Sequence, residues 1–119
     1  MKTFSEIIQA ASKEVKEIDV YQLKDFLDSN HDFYLIDIRE DREWVNGKIN
    51  SAIHLGRGIL EKEIESNCGN RDSEIILYCA GGVRSILAAK SLQEMGYKKV
   101  FSLAGGIGQW INAGFSIQE

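Results

Sequence analysis

Residues 75–90 read IILYCAGGVRSILAAK. An apolar run of strand length closes on Cys79, a turn with Gly81 and Gly82 follows, and the chain resumes with an apolar stripe of helical spacing. The run does not alternate between apolar and polar, which fits a strand covered on both faces. The segment after it places Val83, Ile86, Leu87, Leu92 and Met95 near one face, with Gly96 as the stop. The thiol at the junction has two readings. It is a small buried side chain beside a tight turn, or it is a thiolate at a helix start, where unpaired N–H groups gather and a cysteine pKa can fall to roughly 3.5–7.5. In the second reading Gly81 and Gly82 are both free to take positive φ, so that several amides converge on the sulfur. Arg84 adds a fixed cation.

Working outward, DFYLIDI at 32–38 is a second buried run, SAIHL at 51–55 and KKVFSL at 98–103 are further strands, and a short edge strand is expected at 18–20. Helices are expected at 4–16, with Phe4, Ile7, Ile8, Ala11 and Val15 on one stripe, and after Asp19 as N-cap. Others are expected in the charged segment stopped by Gly47, after the glycine hinge at 56–58, and in the final GIGQWINAG. Regular alternation of this kind predicts an α/β domain with a parallel sheet and helices on both faces. In such sheets, sites form beyond the carboxyl ends of the strands. Asp37, Cys79 and the loop at 103–106 all fall there.

Composition narrows the function class. A length of 119 residues fits one domain, and 44% hydrophobic with 27% charged residues is an ordinary globular balance. With a net charge of −4, nucleic acid or an anionic membrane is not an obvious partner. No segment has the length and apolarity of a signal peptide or of a membrane span, so a cytoplasmic protein is expected. Two cysteines, Cys68 and Cys79, and two histidines, His31 and His54, show no metal-ligand spacing. No metal and no cofactor are expected. Cys68 is weighed as a resolving thiol against a plain free cysteine, and His54 as a structural histidine against a base.

Three segments carry a family resemblance. CAGGVRS at 79–85 resembles the C-x-x-G-x-R-S loop of single-domain rhodaneses, the thiosulfate sulfurtransferases. LIDIREDREWVNGKINSAIHL at 35–55 and LAGGIGQWINAGF at 103–115 resemble two further segments of that family, in the family's order. The resemblance implies a three-layer α/β/α rhodanese-like domain with a five-stranded parallel sheet over 16–119, preceded by an N-terminal helical extension at 1–15. It implies that Cys79 takes a sulfane sulfur from thiosulfate, polysulfide or a persulfide donor, carries it as a persulfide, and yields it to a thiol or cyanide. The binding loop is then Ala80, Gly81, Gly82, Val83, Arg84 and Ser85. Asp37, Arg39, Glu40 and Arg57 stand behind it, with Arg84 expected to pair with Asp37, Glu40 or Glu43 and Arg57 expected to border the pocket. The expected partners are small sulfur donors and thiol acceptors, among them a thioredoxin-like or other acceptor protein. The alternatives are a persulfide carrier with little turnover of its own and, further off, a Cdc25-like phosphatase or arsenate reductase. Those phosphatases use a loop one residue longer than the four residues between Cys79 and Arg84. Ala80 and Gly81 stand where some thiosulfate users carry cationic side chains.

Overall fold

Leu35 to Ile38 and Ile75 to Cys79 are buried without a break. The period-two alternation of a strand then divides them between two cores. Ile36, Ile38, Ile75, Leu77 and Cys79 point into one, and Leu35, Ile76 and Tyr78 into the other. In the computed structural model, which describes residues 1–119, the elements are α1 (Phe4–Ser12), β1 (Lys16–Ile18), α2 (Val20–Asp28), β2 (Tyr34–Asp37), α3 (Asp41–Trp44), β3 (Ile53–His54), α4 (Leu60–Asn67), β4 (Glu74–Tyr78), α5 (Arg84–Glu94), β5 (Lys99–Leu103) and α6 (Gly106–Asn112). The five strands form one sheet in the order β1-β5-β4-β2-β3, and every pairing is parallel. Helices α1, α4 and α5 cover the face that Cys79 shares; α2 and α6 cover the other. The three-layer α/β/α expectation holds, with β4 at the centre.

Two local boundaries differ from the sequence reading. The first strand lies at 16–18, not 18–20, because Asp19 starts α2. Its carboxylate accepts from the Gln22 amide at 2.8 Å while the Gln22 side chain accepts from the Asp19 amide at 2.9 Å, a reciprocal cap that ends the strand. Helix α1 stops at Ser12, short of the expected 16. Of its stripe only Ala11 is buried within the helix, with Val15 just beyond; Phe4 and Ile7 remain 61% and 42% exposed.

Candidate active site at the cysteine loop

The carboxyl end of β4 delivers Cys79 to the mouth of a turn that ends in α5. Cys79 is 1% exposed. Its sulfur accepts the Gly82 amide at 3.1 Å, and the Ser85 hydroxyl lies 3.6 Å away. Gly82 has φ +94°, and a Cβ there would stand 2.8 Å from the Gly105 nitrogen, so this position needs glycine twice over. Gly81 departs from expectation. Its φ is not in the left-handed region, and a Cβ there would meet nothing within 4 Å. The conformational demand falls on Gly82 alone, and Gly81 faces open space.

The loop is held from outside by α6. The amides of Ile107 and Gly108 donate to the carbonyls of Cys79 and Ala80, both at 3.0 Å. In a planar trans peptide the N–H points opposite to the C=O. Anchoring these two carbonyls on α6 therefore turns the amides of Ala80 and Gly81 away from that helix. The contact is close enough to demand a bare backbone, since a Cβ on Gly106 would stand 2.4 Å from the Cys79 oxygen and 2.6 Å from the Ala80 oxygen.

Of the expected partners for Arg84, the structure selects Glu43. The guanidinium, on the first residue of α5, makes two bonds to that carboxylate, at 3.1 and 3.2 Å. Glu43 also accepts the Glu40 amide at 2.9 Å, so Glu40 contributes its backbone rather than its charge. The bond from Arg84 is the chief cause that holds the Glu43 carboxyl below its ordinary range, against burial. The same bond is the largest reason that Arg84 is raised, with the Cys79 sulfur a smaller contributor. Val83 caps α5 without a side-chain bond and is exposed.

Asp37 and Arg39 form a pair of a different kind. Both are buried, at 0% and 6% exposure. Arg39 donates to Asp37 through Nη2 at 2.7 Å and through its own amide at 2.9 Å, and to the Gly47 carbonyl at 2.6 Å. Burial opposes the Arg39 charge, and the Asp37 carboxylate more than offsets it. The pair ties the end of β2 to the turn after α3 and lies against Tyr78, whose phenol is driven far up by burial first and the Asp37 charge second. This is not a surface ion-pair cluster; breaking one partner of such a buried pair costs about 3–5 kcal/mol.

Arg57 is paired with Glu61 at 2.7 Å and lines the largest cleft, about 450 Å³. The walls of that cleft come from Arg39–Arg42, His54 and Gly56–Ile59, not from the Cys79 loop. Arg57 therefore sits in the loop that follows β3, and β2 lies between that strand and β4, which carries Cys79 at its end. His54 bonds the Arg39 carbonyl at 2.8 Å and stacks on Trp44, a structural placement. Trp110 is core, with its indole N–H donating to Ser116. Cys68 is overturned as a resolving thiol. It caps α4 ahead of β4, whereas Cys79 follows β4, and the intervening strand separates them by about 15 Å along the sheet. A disulfide needs Cα atoms within about 7 Å.

Two participants escape a reading of the sequence alone. One is Ser102, whose hydroxyl lies 2.6 Å from that of Ser85. The other is the pair of α6 amides on the loop carbonyls. The signal for Ser102 was a hydroxyl inside the otherwise apolar VFSL, and reading it required the strand register.

A model of the rhodanese-like domain family matches residues 19–113. A putative sulfurtransferase of Bacillus subtilis, YtwF, is 36% identical over 97 residues, which are 82% of this chain and 91% of that protein. A sulfurtransferase of Allochromatium vinosum is 34% identical over 103 residues, 87% of this chain and 94% of its own. Among solved structures, a Rhodopseudomonas palustris protein of unknown function, described as a possible tyrosine phosphatase, superposes with a TM-score of 0.92 at 31% identity, covering 99% of this chain and 96% of that one.

Proposed function

Because the chain belongs to the rhodanese-like domain family, we propose that it is a sulfurtransferase in which Cys79 carries the sulfur as a persulfide. The observation that carries this reading is the Gly82 amide on the Cys79 sulfur at 3.1 Å, inside a turn with only four residues between Cys79 and Arg84. Charge on the sulfur, or on a second sulfur bound to it, is met by a donor already in place, without reorganisation at the moment of reaction.

The chemistry runs in two half-reactions. The Cys79 thiolate attacks the outer sulfur of a sulfane donor. The donor's S–S bond breaks, and its bonding pair leaves with sulfite or a thiolate. An acceptor thiolate or cyanide then attacks the outer sulfur of the persulfide, and the pair of the second S–S bond returns to Cys79. The sulfur oxidation state balances in both halves, and no cofactor enters.

The donor we favour is a polysulfide or a low-molecular-weight persulfide rather than thiosulfate. Ala80 and Gly81 bring no cation, and the one cation of the loop, Arg84, is already neutralised by Glu43. A dianion therefore meets little net positive charge at this turn. Turnover with thiosulfate should fall well below that with glutathione persulfide; a strong preference for thiosulfate overturns this part. Gly81→Lys places a cation into open space and should raise thiosulfate turnover several-fold.

The phosphatase description of the Rhodopseudomonas relative supplies a second reading. The turn here is one residue shorter than that of phosphatases of this fold and is sized for a single sulfur rather than a phosphate. Mass spectrometry separates the two. Treatment with polysulfide should add one sulfur atom, removed by a thiol reductant and absent in Cys79→Ser, while an aryl phosphate should not be hydrolysed. No adduct with either polysulfide or thiosulfate overturns the sulfurtransferase reading.

A further inference from the structure

We propose that Ser102, on a strand that never enters the cysteine loop, is a positioning residue for the Cys79 sulfur, acting through Ser85 in a chain of hydroxyls that favours the thiolate. The inference rests on Cys79 being the sulfur-carrying nucleophile.

The strand register places it. Ser102 of β5 pairs with Leu77 of β4, and Leu77 points to the same core as Cys79 two residues on. Ser102 therefore faces α5, where Ser85 sits in the first turn. Both serines are fully buried, at 0% exposure. Their oxygens are 2.6 Å apart, and the Ser85 oxygen is 3.6 Å from the sulfur. Neither hydroxyl has another hydrogen bond, so the three side chains form a closed line from β5 to Cys79.

Proton counting gives the line its direction. With Cys79 as a thiol, S–H donates to Ser85, Ser85 donates to Ser102, and the Ser102 hydrogen is left without an acceptor. With Cys79 as a thiolate, Ser102 donates to Ser85 and Ser85 donates to the sulfur, so every hydrogen is used. A buried donor without a partner is costly, and a bond to a charged acceptor is stronger than a neutral one. The first bond polarises the second, by about 10–30% in condensed phases. Switching between the two arrangements needs only rotation of two hydroxyls. The charged groups near the sulfur are Arg84 and, behind it, Glu43, and neither bonds to either serine. When an acceptor removes the outer sulfur, the S–S bonding pair returns to Cys79, and the same line receives that charge.

The test reads the thiolate directly, so it does not depend on turnover. Thiolate absorbance is titrated as a difference between each protein and its Cys79→Ser counterpart, which cancels Cys68 and the tyrosines. Ser85→Ala should raise the midpoint by about one pH unit, the scale of a lost hydrogen bond to charge. Ser102→Ala should raise it by about half a unit, and Ser102→Thr, which keeps the hydroxyl, should restore it. In a Ser85→Ala background, Ser102→Ala should add nothing. A midpoint unmoved in folded Ser102→Ala overturns the proposal, as does an equal shift from Ser102→Ala with and without Ser85. Should Ser102→Ala not fold, Ser85→Ala and Ser102→Thr carry the test: no rise in the first, or a rise in the second, overturns it. Loss of sulfur loading with these shifts intact would instead count against the sulfurtransferase reading.

Discussion

Cys68 and Cys79 are equally buried, at 1% exposure each, and belong to the same apolar core. One is placed ahead of β4 and the other after it, and that difference of end gives them different surroundings. At the carboxyl end, Cys79 meets an amide at 3.1 Å and a hydroxyl at 3.6 Å. At the amino end, Cys68 finishes α4, where helix carbonyls rather than amides are unpaired. Burial pushes the Cys68 thiol up, against smaller pulls from Ser73 and Arg71. Burial alone therefore does not distinguish the two thiols; the polarity of the adjoining helix end does.

The strongest way to break this comparison is to exchange the roles. Cys79→Ser should abolish sulfur loading completely while Cys68→Ser leaves it intact, read by intact mass after polysulfide treatment. Retained loading in Cys79→Ser would reverse the assignment.

Next in size is the backbone that aims the amides. Gly106→Ala forces a Cβ into the carbonyls of Cys79 and Ala80 and should cost about 1–3 kcal/mol in denaturant unfolding, with at least a tenfold loss of turnover. An unchanged loop would mean that α6 does not aim it.

A smaller effect is expected at Glu43. Glu43→Gln frees the Arg84 charge and should raise thiosulfate turnover a few-fold. The Glu43 carboxyl is held low in the folded state chiefly by Arg84. Its contribution is therefore present above the unfolded carboxyl range, near 4.3, and is lost as pH falls below it. The stability gap between wild type and variant should close on acidification. With Glu43 and Arg84 side chains 26% and 39% exposed, the gap should stay below about 1 kcal/mol.

The smallest change belongs to Cys68. Cys68→Ala should cost about 1–2 kcal/mol as a small cavity and leave turnover alone. Because the folded-state thiol is raised, its contribution is present below the unfolded thiol range, near 8.5, and is lost as pH rises past it. The wild type should therefore lose part of its advantage over Cys68→Ala in alkaline unfolding.

How much of this was legible follows from the range of the interactions. β2 and β4 show as unbroken apolar runs because both faces are covered, and the Cys79 turn shows because its residues are adjacent in sequence. Glu43 stood among three candidate partners for Arg84, and only the folded loop distinguishes them. The burial of Asp37 and Arg39 depends on the chain closing over them at Gly47, which no local pattern encodes. Ser102 needs the β4–β5 register. Phe4 and Ile7 kept a helical stripe that the core does not use.

The grip of α6 on the Cys79 and Ala80 carbonyls also sets an order of events during synthesis. Cys79 emerges from the ribosome well before Gly106, Ile107 and Gly108, and a domain folds as a unit. Until that final helix docks, the carbonyls of Cys79 and Ala80 lack the amides that hold them. The surroundings of Cys79 are therefore complete only once the last helix of the domain has docked.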